Sequence, residues 1–385
     1  MKEATTGTTI IPLTEGVIPS VKQTGKYAIV AITRHGVEMA RSLYSRFPDA
    51  DLYYMNKFER GDEADKGIQL FSGSVRLLFP ALFPVYDGLI VFISLGAVVR
   101  MIAPLLKDKK VDPGVVVVDD RAEFAISVLS GHLGGANELT REVAAMLGAQ
   151  PVITTASDVQ KTIPVDLFGR RFGWEWDPVS EKKLTPVSAS VVNEEHVAIV
   201  QESGEKNWWM HETPMPASLK RYGSIEDALA AQPNAALVVT HRLLSHDEEA
   251  ILHNGVLYRP KVIVLGIGCN RGTSADEIEG VIQRALDDLQ FSIRSVKAIC
   301  TIDLKKNEEG LLEVCRKYGW EFVYYTPEQL NEMHIEQPSE TVYKYTGAFG
   351  VSEPACRRYI NNNDPLELIK RKSGNVTISV GVLSY

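Results

Sequence analysis

Tyr27-Ala-Ile-Val-Ala-Ile-Thr-Arg-His-Gly36 is the stretch from which the architecture can be read. Its first six residues are all apolar or aromatic, the pattern of a strand buried on both faces. Thr33-Arg-His-Gly36 then turns into a segment whose Val37, Ala40, Leu43, Tyr44 and Phe47 recur at helical spacing. The strand, turn and helix unit repeats downstream. Leu89 to Ile93 is followed by a helix through Val98 to Leu106, and Val115 to Asp119 precedes a helix from about Ala136 to Leu147. Such alternation predicts an α/β sheet clothed in helices.

Outward from that unit, the chain divides by composition. Residues 1–25 mix Thr, Gly and Pro without periodicity and are expected as a flexible lead. Residues 26–165 form an N-terminal α/β domain. Residues 166–259, with Trp174, Trp176, Trp208 and Trp209, form a smaller middle region. A second α/β domain, residues 260–385, opens with Lys261-Val-Ile-Val-Leu-Gly266 just after Pro260, a residue that disfavours helix before it.

The 385 residues are 45% hydrophobic and 23% charged, with a formal net charge of −8. That balance argues against a nucleic-acid binder held by diffuse basic charge, so an anionic ligand must meet a local basic patch. The longest apolar runs are far short of the ~20 residues of a membrane span, and the opening residues lack the apolar core of a signal peptide. The four cysteines, Cys269, Cys300, Cys315 and Cys356, form no CxxC pair and read as reduced thiols of a cytoplasmic protein. No metal site of the protein's own is expected.

Two glycine-rich loops carry the chemistry. In Ser127-Val-Leu-Ser-Gly-His-Leu-Gly-Gly-Ala-Asn-Glu138 a strand passes through Gly131, Gly134 and Gly135 into a helix. Amides there can be aimed at a bound oxygen, and the helix N-terminus favours negative charge. His132 is the candidate general base; the same residues also fit a tight turn with a structural histidine. Gly266-Ile-Gly-Cys-Asn-Arg-Gly-Thr-Ser274 reads as a second anion cradle shaped by Gly266, Gly268 and Gly272, with Thr273 beside the helix start. Ser274 and Glu277 have capping-box spacing. The third glycine is displaced from GxGxxG and no P-loop occurs, which disfavours a nucleotide. Arg100 and Arg271 are candidate carboxylate contacts, whereas Lys107, Lys109 and Lys110 read as solvated charges beside a turn. Asp119, Asp120 and Arg121 fit a hairpin turn. Ser352, Glu353 and Pro354 fit a helix start.

Taken together, SLGAVVRMIAPLLKDKKVDPGVVVVDD, SGHLGGANELT and PVITTASDV resemble the N-terminal part of the cobalt-precorrin-5A hydrolase family of anaerobic vitamin B12 synthesis. LGIGCNRGTSADEI, VSEPA and SGNVTISVG resemble that family's C-terminal part, in the usual order. The likeness is weakest over residues 166–259. It implies a cobalt-containing, ring-contracted tetrapyrrole substrate rich in acetate and propionate groups, with the cobalt arriving in the macrocycle and no cofactor beyond it. The implied reaction opens a ring-A δ-lactone and expels the former meso carbon as acetaldehyde. Transient contact with pathway methyltransferases goes with it. The resemblance assigns no catalytic residue; from the chemistry of the residues themselves, His132 is expected to activate water or take the hydroxyl proton, with Gly134 and Gly135 amides on the oxyanion. Arg100 and Arg271 are expected to hold peripheral carboxylates. A corrinoid carrier without catalysis is the rival expectation, separated by acetaldehyde release.

Overall fold

The computed structural model describes residues 10–335, 338–360 and 365–385. By internal contacts the chain forms two compact units, residues 1–167 and 168–385.

The first unit is built on an eight-stranded sheet. Its strands are β1 (Ile10–Pro12), β2 (Tyr27–Ala31), β3 (Ala50–Met55), β4 (Gln69–Ser72), β5 (Gly88–Phe92), β6 (Gly114–Val118), β7 (Phe124–Leu129) and β8 (Gln150–Val152). They lie in the order β1-β4-β3-β2-β5-β6-β7-β8. The first six are parallel, β7 runs antiparallel to β6, and β8 follows β7. Alternate residues of β2 face opposite layers, as a pleated strand requires. Ile29 and Ala31 pack with Val37, Ala40 and Leu43 of helix α1 (Arg34–Tyr44). Ala28 and Val30 pack with Val98, Met101 and Ile102 of helix α2 (Leu95–Ile102). Helices therefore cover both faces, as the apolar runs predict.

The stretch expected as a flexible lead is anchored from residue 10 onward. Ile10–Pro12 pairs with β4, Ile11 is buried, and the Thr24 and Gly25 amides donate to the buried Asp51 carboxylate. Residues 1–9 of that lead lie outside the described residues.

The second unit holds two five-stranded sheets. One comprises β9 (Glu175–Trp176), β10 (Val197–Gln201), β11 (Leu219–Tyr222), β12 (Ala235–Val239) and β13 (Gly255–Arg259), in the order β11-β10-β12-β13-β9. The other comprises β14 (Ile263–Cys269), β15 (Val296–Ile302), β16 (Glu321–Tyr325), β17 (Leu368–Ser373) and β18 (Val376–Val382), in the order β16-β15-β14-β18-β17. Helices α4 (Ala275–Leu289) and α5 (Glu309–Tyr318) supply Ile278, Val281, Ile282, Leu311 and Val314 to one core. Helix α6 (Ser352–Ile360) lies on the opposite face. Among the described residues, no helix is long and apolar enough to cross a membrane.

Candidate active site

The hairpin between β6 and β7 decides where the first glycine loop lies. The Asp119 carboxylate accepts the Arg121 and Phe124 amides at 2.9 and 2.5 Å, and Ala122 takes a left-handed φ of 56°. The chain reverses there, so Leu129 ends opposite Val115, at the amino ends of the parallel strands. Gly135, at φ 76°, starts helix α3 (Ala136–Leu147), a backbone conformation glycine adopts without strain. Ser130 adopts φ 55° without that freedom, and its buried hydroxyl has no partner among the described residues; such strain is most often kept where function needs it.

His132 projects from this loop into a polar cluster. Its Nε2 lies 3.0 Å from Asp158 Oδ2 and 3.1 Å from Ser157 Oγ, and its Nδ1 lies 3.1 Å from Asp166 Oδ1. Asp158 is fixed from other sides as well. Arg141 bonds its Oδ1, and Asn137 Nδ2 donates to Oδ2 at 2.9 Å and to Thr155 Oγ1 at 2.9 Å. Ser127 Oγ donates to Asn137 Oδ1 at 2.7 Å. Hydrogen bonds to Asp158 and Asp166 raise the His132 pKa to about 9 against the desolvation that opposes it. The bond from His132 and that from Arg141 hold Asp158 at about 2. The resting ring is thus an imidazolium that donates from both nitrogens. A proton-accepting role at His132 requires the ring first to give up one of those two protons.

Of the two amides expected at an oxyanion, that of Gly135 is committed to His132 O at 2.9 Å. Gly134 fits where a Cβ would sit 2.3 Å from Ser130 Cβ, and Gly131 where a Cβ would sit 2.8 Å from Asn137 Oδ1. Both glycines therefore serve close packing around the histidine.

Arg100 is not brought to this cluster. Helix α2 leaves the carboxyl end of β5, and Arg100 Nη1 lies 3.9 Å from where a Gly96 Cβ would be, folded back to that helix start. Gly88, at the other end of β5, pairs with Gly114 beside the glycine loop. The length of β5, roughly 16 Å at ~3.3 Å per residue, separates the two rims.

The end of β14 and the loop after it are largely committed internally. A Cβ on Gly266 would lie 1.8 Å from Ser352 O, so this glycine admits α6 against the strand, and Gly268 faces Val351. The Gly272 amide donates to Glu308 Oε1 at 2.6 Å, so the chain supplies its own anion there, paired with Lys305 at 2.9 Å. Thr273 is buried and its hydroxyl donates to Asn270 O. Ser274 caps α4 by accepting the Glu277 amide. Arg271 is exposed. Burial pushes the Cys269 thiol up to about 11, away from nucleophilic use. A cleft of about 940 Å³ elsewhere in the second unit is lined by His246, His253, Leu252 and Arg259 and by no residue of either glycine loop.

Asp158, Asp166, Asn137 and Arg141 are the site residues that sequence reading misses. Asp158 stands within PVITTASDV, and Asp166 stands at a compositional boundary. Neither has a local pattern that pairs it with a histidine dozens of residues earlier.

Family models described as cobalamin synthesis G N-terminal, cobalamin biosynthesis central region and cobalamin synthesis G C-terminus match residues 78–158, 163–260 and 263–381. A relative from Priestia megaterium named cobalt-precorrin-5A hydrolase is 68% identical over 376 residues, covering 98% of this chain and all of its own. The chain belongs to the cobalt-precorrin-5A hydrolase family. A Salmonella typhimurium family member is 31% identical over 359 residues, covering 92% of this chain and 97% of its own. A solved cobalamin biosynthesis protein G homolog from Sulfolobus solfataricus is 19% identical, with TM-score 0.35, over 93% of this chain and 97% of its own. The N-terminal family model includes the whole glycine loop, Asp158 and Arg100, and ends before Asp166.

Proposed function

We propose that this chain is a hydrolase acting on cobalt-precorrin-5A, opening its ring-A δ-lactone and releasing acetaldehyde to leave cobalt-precorrin-5B. The observation that carries this reading is the 68% identity, end to end, with a protein bearing that name. Lactone opening adds water across the acyl–oxygen bond, leaving a carboxylate and a hydroxyl on the former meso carbon. That hydroxyl then loses its proton, the carbon–carbon bond to the ring breaks, acetaldehyde departs, and the conjugated macrocycle takes the electron pair and a proton. Cobalt belongs to the substrate, and no further cofactor is invoked.

The His132 cluster suits both steps. In this reading the imidazolium donates one N–H to the developing lactone oxyanion, where a preformed donor lowers the barrier. Asp166 accepts the proton from water, returns it to the alkoxide as the lactone C–O bond breaks, and takes it again from the resulting hydroxyl, while Asp158, fixed by Arg141 and Asn137, keeps the ring charged and oriented. The His132 site is proposed without Arg100, which lies at the opposite rim of β5, and without Arg271, which belongs to the second unit. A cytoplasmic setting, supported by four free cysteines, and brief hand-over to a methyltransferase complete the proposal.

The test is anaerobic incubation with cobalt-precorrin-5A and measurement of acetaldehyde, beside His132→Ala and a no-protein control. Protein-dependent acetaldehyde that falls at least a hundredfold in the variant supports the reading. Binding without acetaldehyde in the wild type refutes hydrolysis, and full turnover by the variant removes His132 from it.

A further inference from the structure

The turn between α2 and β6 stands against the glycine loop. A Cβ on Gly134 would lie 3.2 Å from Asp112 O, and one on Gly114 would lie 2.6 Å from Gly134 O. The two segments are therefore in backbone contact, with His132 two residues from the contact on one side and Lys110 two residues from it on the other. The turn is also firmly built. The buried Asp112 carboxylate accepts the Lys107 amide at 3.0 Å, the Val111 and Asp112 amides donate to Asp108 O at 3.0 and 2.9 Å, and Asp108 Oδ1 accepts the Lys110 amide at 2.9 Å. Both acids of the turn thus serve its own backbone.

The solvent face of the turn is unusual. Leu106 is 46% exposed and Val111 70% exposed, and between them Lys107, Lys109 and Lys110 are all exposed. Two exposed aliphatics flanking three lysines, with Asp108 between Lys107 and Lys109 turned to the loop's own backbone, match a ligand with an apolar face and an anionic rim. In a chain of net charge −8, such a patch beside the proposed catalytic cluster selects for carboxylates locally.

We propose that the 106–111 turn is a specificity element of the His132 site, taking substrate carboxylates with Lys107 and Lys109 and the macrocycle's apolar face with Leu106 and Val111. This rests on the proposed function, which supplies a carboxylate-rimmed tetrapyrrole as the occupant. The lysines bind and orient the substrate and take no part in bond breaking.

The experiment measures cobalt-precorrin-5A binding by anaerobic equilibrium dialysis in the His132→Ala background, where the ligand is not consumed, and turnover by acetaldehyde release with His132 intact, both on the full chain. The Lys107→Gln/Lys109→Gln variant is compared with Lys182→Gln/Lys220→Gln, which removes the same charge from exposed positions of the second unit. The turn variant is expected to raise Kd and KM about tenfold with kcat unchanged, the effect of two exposed charge pairs. Added salt should weaken binding by the unaltered turn and leave that variant less affected. Leu106→Ser/Val111→Ser is expected to raise Kd about fivefold. Unchanged affinity in the lysine variant, or an equal loss in the control, overturns the proposal. Binding without acetaldehyde from the His132-intact chain refutes the hydrolase reading alone, since dialysis still judges the turn. Acetaldehyde release with unchanged variant affinity refutes the turn alone, and neither binding nor acetaldehyde with the turn unaltered refutes both.

Discussion

A histidine held between two carboxylates should titrate far from its ordinary range, and the consequence is measurable. His132 is raised from 6.5 to about 9, first by Asp158 and then by Asp166. At about 1.4 kcal/mol per tenfold, that difference is worth ~3 kcal/mol. Solvent screening at a ring 18% exposed reduces it to roughly 2 kcal/mol. The depressed Asp158 pKa is the same pairing seen from its partner, so it is not added. Because the folded pKa is the higher one, the stabilisation is complete below pH 6.5 and is lost as pH rises through about 9. The ring resonance, assigned by its loss in His132→Gln, should titrate near 9 by NMR. Asp158→Asn should lower that value more than Asp166→Asn. Acetaldehyde release should fall on the alkaline side as the imidazolium loses its proton. A wild-type ring titrating at or below 6.5 refutes the argument, as does a larger effect from Asp166→Asn.

Three further outcomes rest on geometry. Gly134→Ala should destabilise the first unit by ~2–3 kcal/mol through overlap with Ser130, whereas Gly135→Ala, with open space but φ 76°, should cost only ~1 kcal/mol; urea melts followed by circular dichroism distinguish the two. Gly266→Ala should drive α6 off β14 and lower the thermal midpoint of the second unit, because Ser352 O occupies the new methyl's place; an unchanged midpoint would contradict the packing. Desolvation lowers the pKa of the half-buried His241 to about 4, so the second unit should lose up to ~3 kcal/mol as pH falls from 6.5 towards 4. All five tryptophans, at 174, 176, 208, 209 and 320, lie in that unit, so their fluorescence reads this loss separately. His241→Phe should flatten it.

Strand and helix positions are legible because apolar runs and helical spacing report burial directly, as in β2, α3 and α4. The hairpin at Asp119 is legible too, but its effect on strand direction is not, and that direction separates Arg100 from His132. Gly266 illustrates a second limit: a glycine that admits a helix and one that admits a ligand look alike in sequence, and only Ser352 O distinguishes them. The edge strand at Ile10–Pro12 is hidden because three residues carry too little periodicity. The His132 cluster escapes for a similar reason. Its loop is conspicuous, but the carboxylates that set its charge arrive from distant segments.

The antiparallel turn after β6 has one more consequence, for motion. The central parallel strands are complete by Val118, and the His132 cluster hangs from the later segments, with the three-residue β8 at the outer edge. Such short edge elements are the first to open locally. The Gln150 and Val152 amides should therefore exchange with solvent well before those of β2 and β5, giving the Asp158 side of the cluster freedom to part from His132 while the sheet beneath stays intact.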